Sequence, residues 1–151
     1  DIILELTTKS PDFMLIKGIP VMLYNYKKAI DFGYLIDKSI QADKLEFLGY
    51  ILNVTFNIFL RHDARKDLLP KLKAAIKAIK AVIKPAGKKK KPKFLTPELD
   101  RIYYMTKNPA AVPATQRDAL MMEWCVAYIS KEYEFEEIFS LYVAKNDKFH
   151  R

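Results

Sequence analysis

Apolar residues recur at helical spacing along most of this chain, and the breaks between those runs set the expected elements. The longest uncharged run is LEFLGYILNVTFNIFL, residues 45–60, which carries no charge past Glu46 until Arg61. A helix is expected over 43–62, with Phe47, Tyr50, Ile51, Val54 and Ile58 on one broad apolar face and Asp43 as its cap. The run is short of the ~20 residues a membrane span needs, and Asn53 and Asn57 lie one turn apart inside it. A buried core helix is therefore the reading, and a membrane is the least favoured partner.

A second helix is expected from about Ala64 to Lys84, joined to the first by a short connection that makes the two antiparallel neighbours. At roughly 100° per residue it resolves into three faces. Leu72, Ile76, Ile79 and Ile83 form a core stripe. Lys73, Lys77, Lys80 and Lys84 form a single file beside that stripe, and Ala74, Ala75, Ala78 and Ala81 cover much of the remaining surface. Pro85 and Gly87 end the helix. KKKKPKF then follows, expected to be extended and self-repelling.

On the N-terminal side, DIILEL is expected as a short helix or strand before a break at Ser10–Pro11. DFMLIKGIPVMLYNY fits either a strand, a turn at Lys17–Gly18 and a helix opening near Pro20, or one kinked helix. KKAIDFGYLIDKSI has helical spacing through Ile30, Tyr34 and Ile40. On the C-terminal side, Thr96 reads as an N-cap with Pro97 opening PELDRIYYMTKN, and NPAAVPA is a second break. Thr115 to Asp118 approximates a capping box that opens the longest element, 116–146. There Met121, Trp124 and Tyr128, then Phe135, Ile138, Phe139 and Tyr142, keep helical spacing. Glu132, Glu134, Glu136 and Glu137 form an acidic knot between these sets. It reads as a junction between two helices and as the natural intramolecular partner of the lysine file.

The fold class expected is all-α. It is a single helical-bundle-like domain with an antiparallel helical hairpin, a basic Lys/Pro loop and a C-terminal helical pair. Residues 1–84 and 97–151 are the helical parts, and 85–96 the basic linker between them. The 151 residues, 50% apolar and 13% aromatic, suffice for a core without staples.

Charge changes the picture because it is local. The formal net charge is +8, yet Arg61 to Lys93 holds 13 Lys and Arg against two acids, while the rest of the chain has 13 basic and 16 acidic residues. Such a row points to phosphate contact, with binding that weakens steeply in salt. Lysines rather than arginines dominate, so the groups are point charges and not forks that read guanine edges. The candidate nucleic-acid-contacting residues are Lys73, Lys77, Lys80, Lys84, Lys88, Lys89, Lys90, Lys91 and Lys93. The expected function is a non-enzymatic basic protein that grips phosphates without sequence specificity within a larger assembly, of which ribosomal or viral particles are examples. The alternative is a scaffold subunit that oligomerises through the apolar helices 43–62 and 116–146. Tyr103, Tyr104, Tyr133 and Phe135 have the chemistry to stack on unpaired bases, but tyrosines in a helical protein are more often core or interface residues.

Little else in the chain suggests chemistry. One cysteine, Cys125, excludes an internal disulfide and reads as a small buried hydrophobe. With it go only two histidines, His62 and His150, so no structural zinc site and no cofactor is expected. The location expected is intracellular and reducing, and no signal or transit pattern is visible. The four glycines are not clustered into a phosphate loop, and no HExxH or GxSxG motif occurs. Asp31 and Asp37 are read as solvated. The segment FMLIKGIPVMLYNYKKAIDFGYLID, about 25 residues, resembles the opening of minimal nucleotidyltransferase domains. In that family a strand leads to a Gly-Gly pair, a helix and an Asp-x-Asp metal pair. The glycine pair here reads Lys17-Gly18, and the aspartate pair reads Asp31-Phe32-Gly33 with the second carboxylate missing. The resemblance implies metal-dependent nucleotide binding at Asp31, whereas a single carboxylate does not support two-metal chemistry.

Overall fold

A computed structural model of the chain describes residues 16–83, 93–94, 119–127 and 131–149. Six helices lie among them: α1 (Ile19–Asn25), α2 (Phe32–Gln41), α3 (Leu45–Arg61), α4 (Leu69–Val82), α5 (Ala119–Trp124) and α6 (Glu132–Phe149). Two short strands, β1 (Lys93–Phe94) and β2 (Val126–Ala127), complete the described elements. The expectations for DIILEL, Lys84, Lys88 to Lys91, Thr96–Pro97, Tyr103, Tyr104, Thr115–Asp118 and Tyr128 fall outside the described residues.

The uncharged run becomes α3, and 12 of its 17 residues are buried. A helix that is apolar on nearly every side must be surrounded, and α1, α2, α4, α5 and α6 all pack against it. Its contact with α4 is the most extensive among the described elements. One hydrophobic core therefore runs from Ile16 through α3 and α4 to Phe135 and Phe139, and the architecture is a single all-α domain.

Aromatic rings fill the end of this core nearest α1. Tyr24 meets Phe139 edge-on with ring centroids 5.4 Å apart, and Phe59 lies 5.8 Å from Phe139. Tyr50 meets Phe135 at 6.2 Å, also edge-on. Edge-to-face packing of this kind adds to simple burial. Trp124 lies against Gly49 of α3, where a Cβ would come within 2.7 Å of three indole carbons. The glycine is there because the ring needs its space.

Several boundaries differ from the expected ones. Of the two readings for DFMLIKGIPVMLYNY, the broken helix is the one seen among the described residues: Ile16 and Lys17 are helical and Gly18 breaks the run. Pro20 then opens α1. The N-cap of α3 is Lys44, without a side-chain cap bond, and Asp43 before it adopts φ 55°. The capping aspartate is Asp31, whose Oδ1 accepts the Tyr34 backbone N–H at 2.9 Å at the start of α2. In α2 the buried positions are Leu35 and Ser39, while Tyr34 and Ile40 are exposed and Ile30 precedes the helix. The core-facing stripe thus runs one position beyond the expected Ile30–Tyr34 register.

Helix α4 starts at Leu69 rather than near Ala64, because Asp63 and Arg65 take left-handed backbone angles of 52° and 44° and the chain turns there. The turn itself is used. Arg65 Nη1 donates to the carbonyls of Leu23, Tyr24 and Tyr26 at 2.8, 3.1 and 2.7 Å, placing a cation at the C-terminal end of α1. Its Nη2 pairs with Asp67 at 2.8 Å, and that bond, more than any other effect, holds the Asp67 carboxyl down to about 2.

The expected long helix 116–146 is interrupted. Cys125 has φ 54°, a left-handed residue that cannot continue a helix, and β2 follows it. β2 pairs in parallel with β1, Lys93 opposite Val126 and Phe94 opposite Ala127. The C-terminal end of the basic segment is thus anchored to the fold. Cys125 is half-buried, not a fully buried core residue. The acidic knot opens a helix, since α6 begins at Glu132. The Lys131 backbone N–H donates to Glu134 Oε2 at 2.6 Å, one arm of a capping box.

Candidate functional site

The core stripe and the lysine file read from the α4 sequence are observed, but Ala75, expected on the surface, joins the core. Leu72, Ile76 and Ile79 are buried together with Ala75, whereas Lys73, Lys77 and Lys80 are exposed. Among the described residues, one of these lysines is engaged and two are not. Lys73 and Lys77 make no ion pair among the described residues. Lys80 Nζ sits 2.7 Å from Glu123 Oε1 of α5 and 5.3 Å from the centroid of the Trp124 ring. The side chain of Lys93 lies outside the described residues, though its backbone is in β1.

The acidic knot does not face this file. Two of its carboxylates, Glu132 and Glu136, are held by the C-terminal end of α3. Arg61 donates from Nη2 to Glu132 Oε1 at 2.8 Å and to Glu136 Oε2 at 2.7 Å, and from Nε to Glu136 Oε1 at 3.0 Å. His62 Nε2 lies 3.1 Å from Glu136 Oε1, and Lys17 reaches Glu134 at 3.9 Å. The expectation that the knot neutralises the lysine file is corrected for Glu132, Glu134 and Glu136, which pair with Arg61, Lys17 and His62 instead of the described lysines of α4.

A polar ladder extends this seam along α3. Asn53, Asn57 and Arg61 stand at successive i, i+4 positions of one face. Asn53 Nδ2 donates to Asn57 Oδ1 at 3.3 Å, and Asn57 Nδ2 donates to Glu132 Oε1 at 3.2 Å. Trp124 Nε1 donates to Asn53 Oδ1 at 3.0 Å. The ladder fastens both α5 and α6 to α3. It holds Glu136 below the usual carboxylate range, through the hydrogen bond from Arg61 first, with burial opposing. The same bond makes Arg61 more basic than usual. Sequence reasoning missed this role. Its signal was the i, i+4, i+8 spacing of polar residues on an otherwise apolar helix.

Of the aromatic residues considered for base stacking, Phe135 is fully buried and Tyr133 is 58% exposed. Tyr133 lines an open groove on α6 with His62, Glu136, Glu137, Ser140 and Leu141. Among the described residues no group of three or more His, Cys, Asp or Glu is placed to hold a metal, and no helix is long and apolar enough to cross a membrane. No protein-family model matches the chain, and no curated protein and no solved structure is significantly similar to it.

Proposed function

We propose that this chain is a non-enzymatic helical protein that contacts nucleic-acid phosphates without reading sequence, as a component of a larger assembly of ribosomal or viral type. The observation that supports this reading is the state of Lys73 and Lys77. Both are exposed on a core-anchored helix and make no ion pair among the described residues, while Glu132 and Glu136 are bonded to Arg61 and His62. A fixed file of ammonium groups suits a phosphate backbone, and its point charges carry no base preference. The test is fluorescence anisotropy with random single-stranded RNA and duplex DNA across a salt series. Affinity should fall with salt alike for all sequences, and Lys73→Glu with Lys77→Glu should lower the slope by about two. Unchanged affinity in that double variant would sink the reading.

A second reading, a scaffold subunit, draws on only one of the two helices expected. Most apolar residues of α3 are buried within the fold, Leu60 being the exposed exception, so Tyr133 and Leu141 on α6, the latter 71% exposed, are the better oligomer contacts. It predicts a mass above monomer that resists both salt and nuclease. The nucleotidyltransferase resemblance finds less support, because the Asp31 carboxylate caps α2.

A further inference from the structure

We infer that Glu123 is a specificity-determining residue of the α4 surface: it occupies Lys80 as an internal stand-in for phosphate, and only a polyanion held by neighbouring lysines displaces it. The inference rests on the phosphate-contact reading of α4.

Lys80 belongs to the same file as Lys73 and Lys77, but Glu123 holds its ammonium at 2.7 Å. The two side chains are 48% and 49% exposed, so the pair is open to water, weak and exchangeable. A phosphate oxygen is an anionic acceptor for the same N–H donors. Glu123 cannot leave with the exchange, because α5 is fixed by the buried Leu120, Met121 and Trp124 on either side of it. Its carboxylate therefore stays beside any incoming phosphate and repels it. A single phosphate ion has little to offset that repulsion. A strand already bound at Lys73 and Lys77 presents its next phosphate at high effective concentration, so polyanions are favoured over monovalent competitors.

Trp124 makes the exchange visible. It is the chain's one tryptophan, and it is 4% exposed. Its indole N–H is bound to Asn53 at 3.0 Å and its ring faces the Lys80 ammonium. Moving that cation, or placing a phosphate on it, changes the field at a ring that otherwise stays in place.

The experiment titrates the full chain with random single-stranded RNA while reading anisotropy and Trp124 emission together. Wild type should show a saturable change in emission at the same midpoint as the anisotropy. Glu123→Gln should bind about two- to fivefold more tightly at low salt, an advantage that shrinks as salt rises. Inorganic phosphate should compete better against the variant than against wild type. In a Lys80→Met background the same substitution should do nothing. Glu123→Ala carries the same expectations if the glutamine variant melts differently from wild type. Identical RNA binding by wild type and Glu123→Gln would overturn the inference. So would an equal gain in the Lys80→Met background, which would reduce the effect to net charge. If wild type binds but loses affinity in Lys73→Glu, Lys77→Glu while Glu123→Gln is silent, only this inference fails. If wild type shows no salt-sensitive binding at all, the phosphate-contact reading has failed and this one falls with it.

Discussion

Arg61 and Lys77 are both exposed cations within the same basic stretch, and the fold treats them in opposite ways. Arg61 spans two carboxylates of α6 with a planar fork, at 2.7 to 3.0 Å. Lys77, exposed on α4, makes no ion pair among the described residues. The rest of the stretch divides in the same way. Arg65 binds the carbonyls ending α1 and pairs with Asp67, and Asp63 pairs with Lys66 at 3.2 Å. Both acids of the basic stretch are thus engaged in the turn before α4. The arginines are fasteners, and the charge left over is carried by lysine. A local net charge counted from sequence does not separate these two roles, whereas residue type and facing partner do.

Breaking the fastened side should have the largest effect. Gly49→Ala would push a methyl group into the Trp124 ring and cost about 1–3 kcal/mol by overpacking, read as a lower thermal midpoint. A loss below about 0.5 kcal/mol, the scale of an ordinary surface change, would show that α5 docks loosely. Arg61→Met comes next. It leaves Glu132 and Glu136 facing α3 without their cation, and because the cluster is partly solvated the expected loss is about 1–2 kcal/mol.

The same variant sharpens the comparison through pH. Glu136 has its folded pKa depressed, so its bond to Arg61 contributes stability above the ordinary carboxylate value near 4.3. That contribution is lost as pH falls through the lower folded value. Acid unfolding of Arg61→Met should therefore depend less on pH below about 4 than that of wild type. The smallest effect on stability is expected on the available side. Lys73→Glu with Lys77→Glu should move it by no more than about 0.5 kcal/mol, whatever happens to nucleic-acid affinity. A melting shift as large as that of Arg61→Met would erase the distinction between the two regions.

The parts of the fold legible in sequence are those fixed by local periodicity. The uncharged run 45–60 read as a surrounded core helix, and the lysine file and Leu72–Ile76–Ile79 stripe of α4 follow from 3.6-residue spacing. Phe135 and Phe139 at i, i+4 likewise marked the buried side of α6. The misses have two physical causes. The break at Cys125 and the late start of α4 depend on left-handed backbone angles at Cys125, Asp63 and Arg65, none of them the glycine that would announce such a turn. Charge partners were misassigned because Arg61 and Glu132 lie 71 residues apart, and no local pattern records which of several cations a glutamate will face. Asn53 and Asn57 showed only that α3 was a poor membrane span, and their bonding to Trp124 and Glu132 needed the assembled core.

The left-handed turn after Trp124 also has a practical consequence. Cys125 is the one thiol in the chain, and it occupies a backbone conformation that glycine adopts without a steric penalty. Cys125→Gly relieves the Cβ clash, while the added freedom of the unfolded chain works against it, so the net change should stay within about 1 kcal/mol. The product would be a thiol-free background. A cysteine returned at Lys73 or at Tyr133 could then carry a spin label or dye, giving each surface its own spectroscopic address.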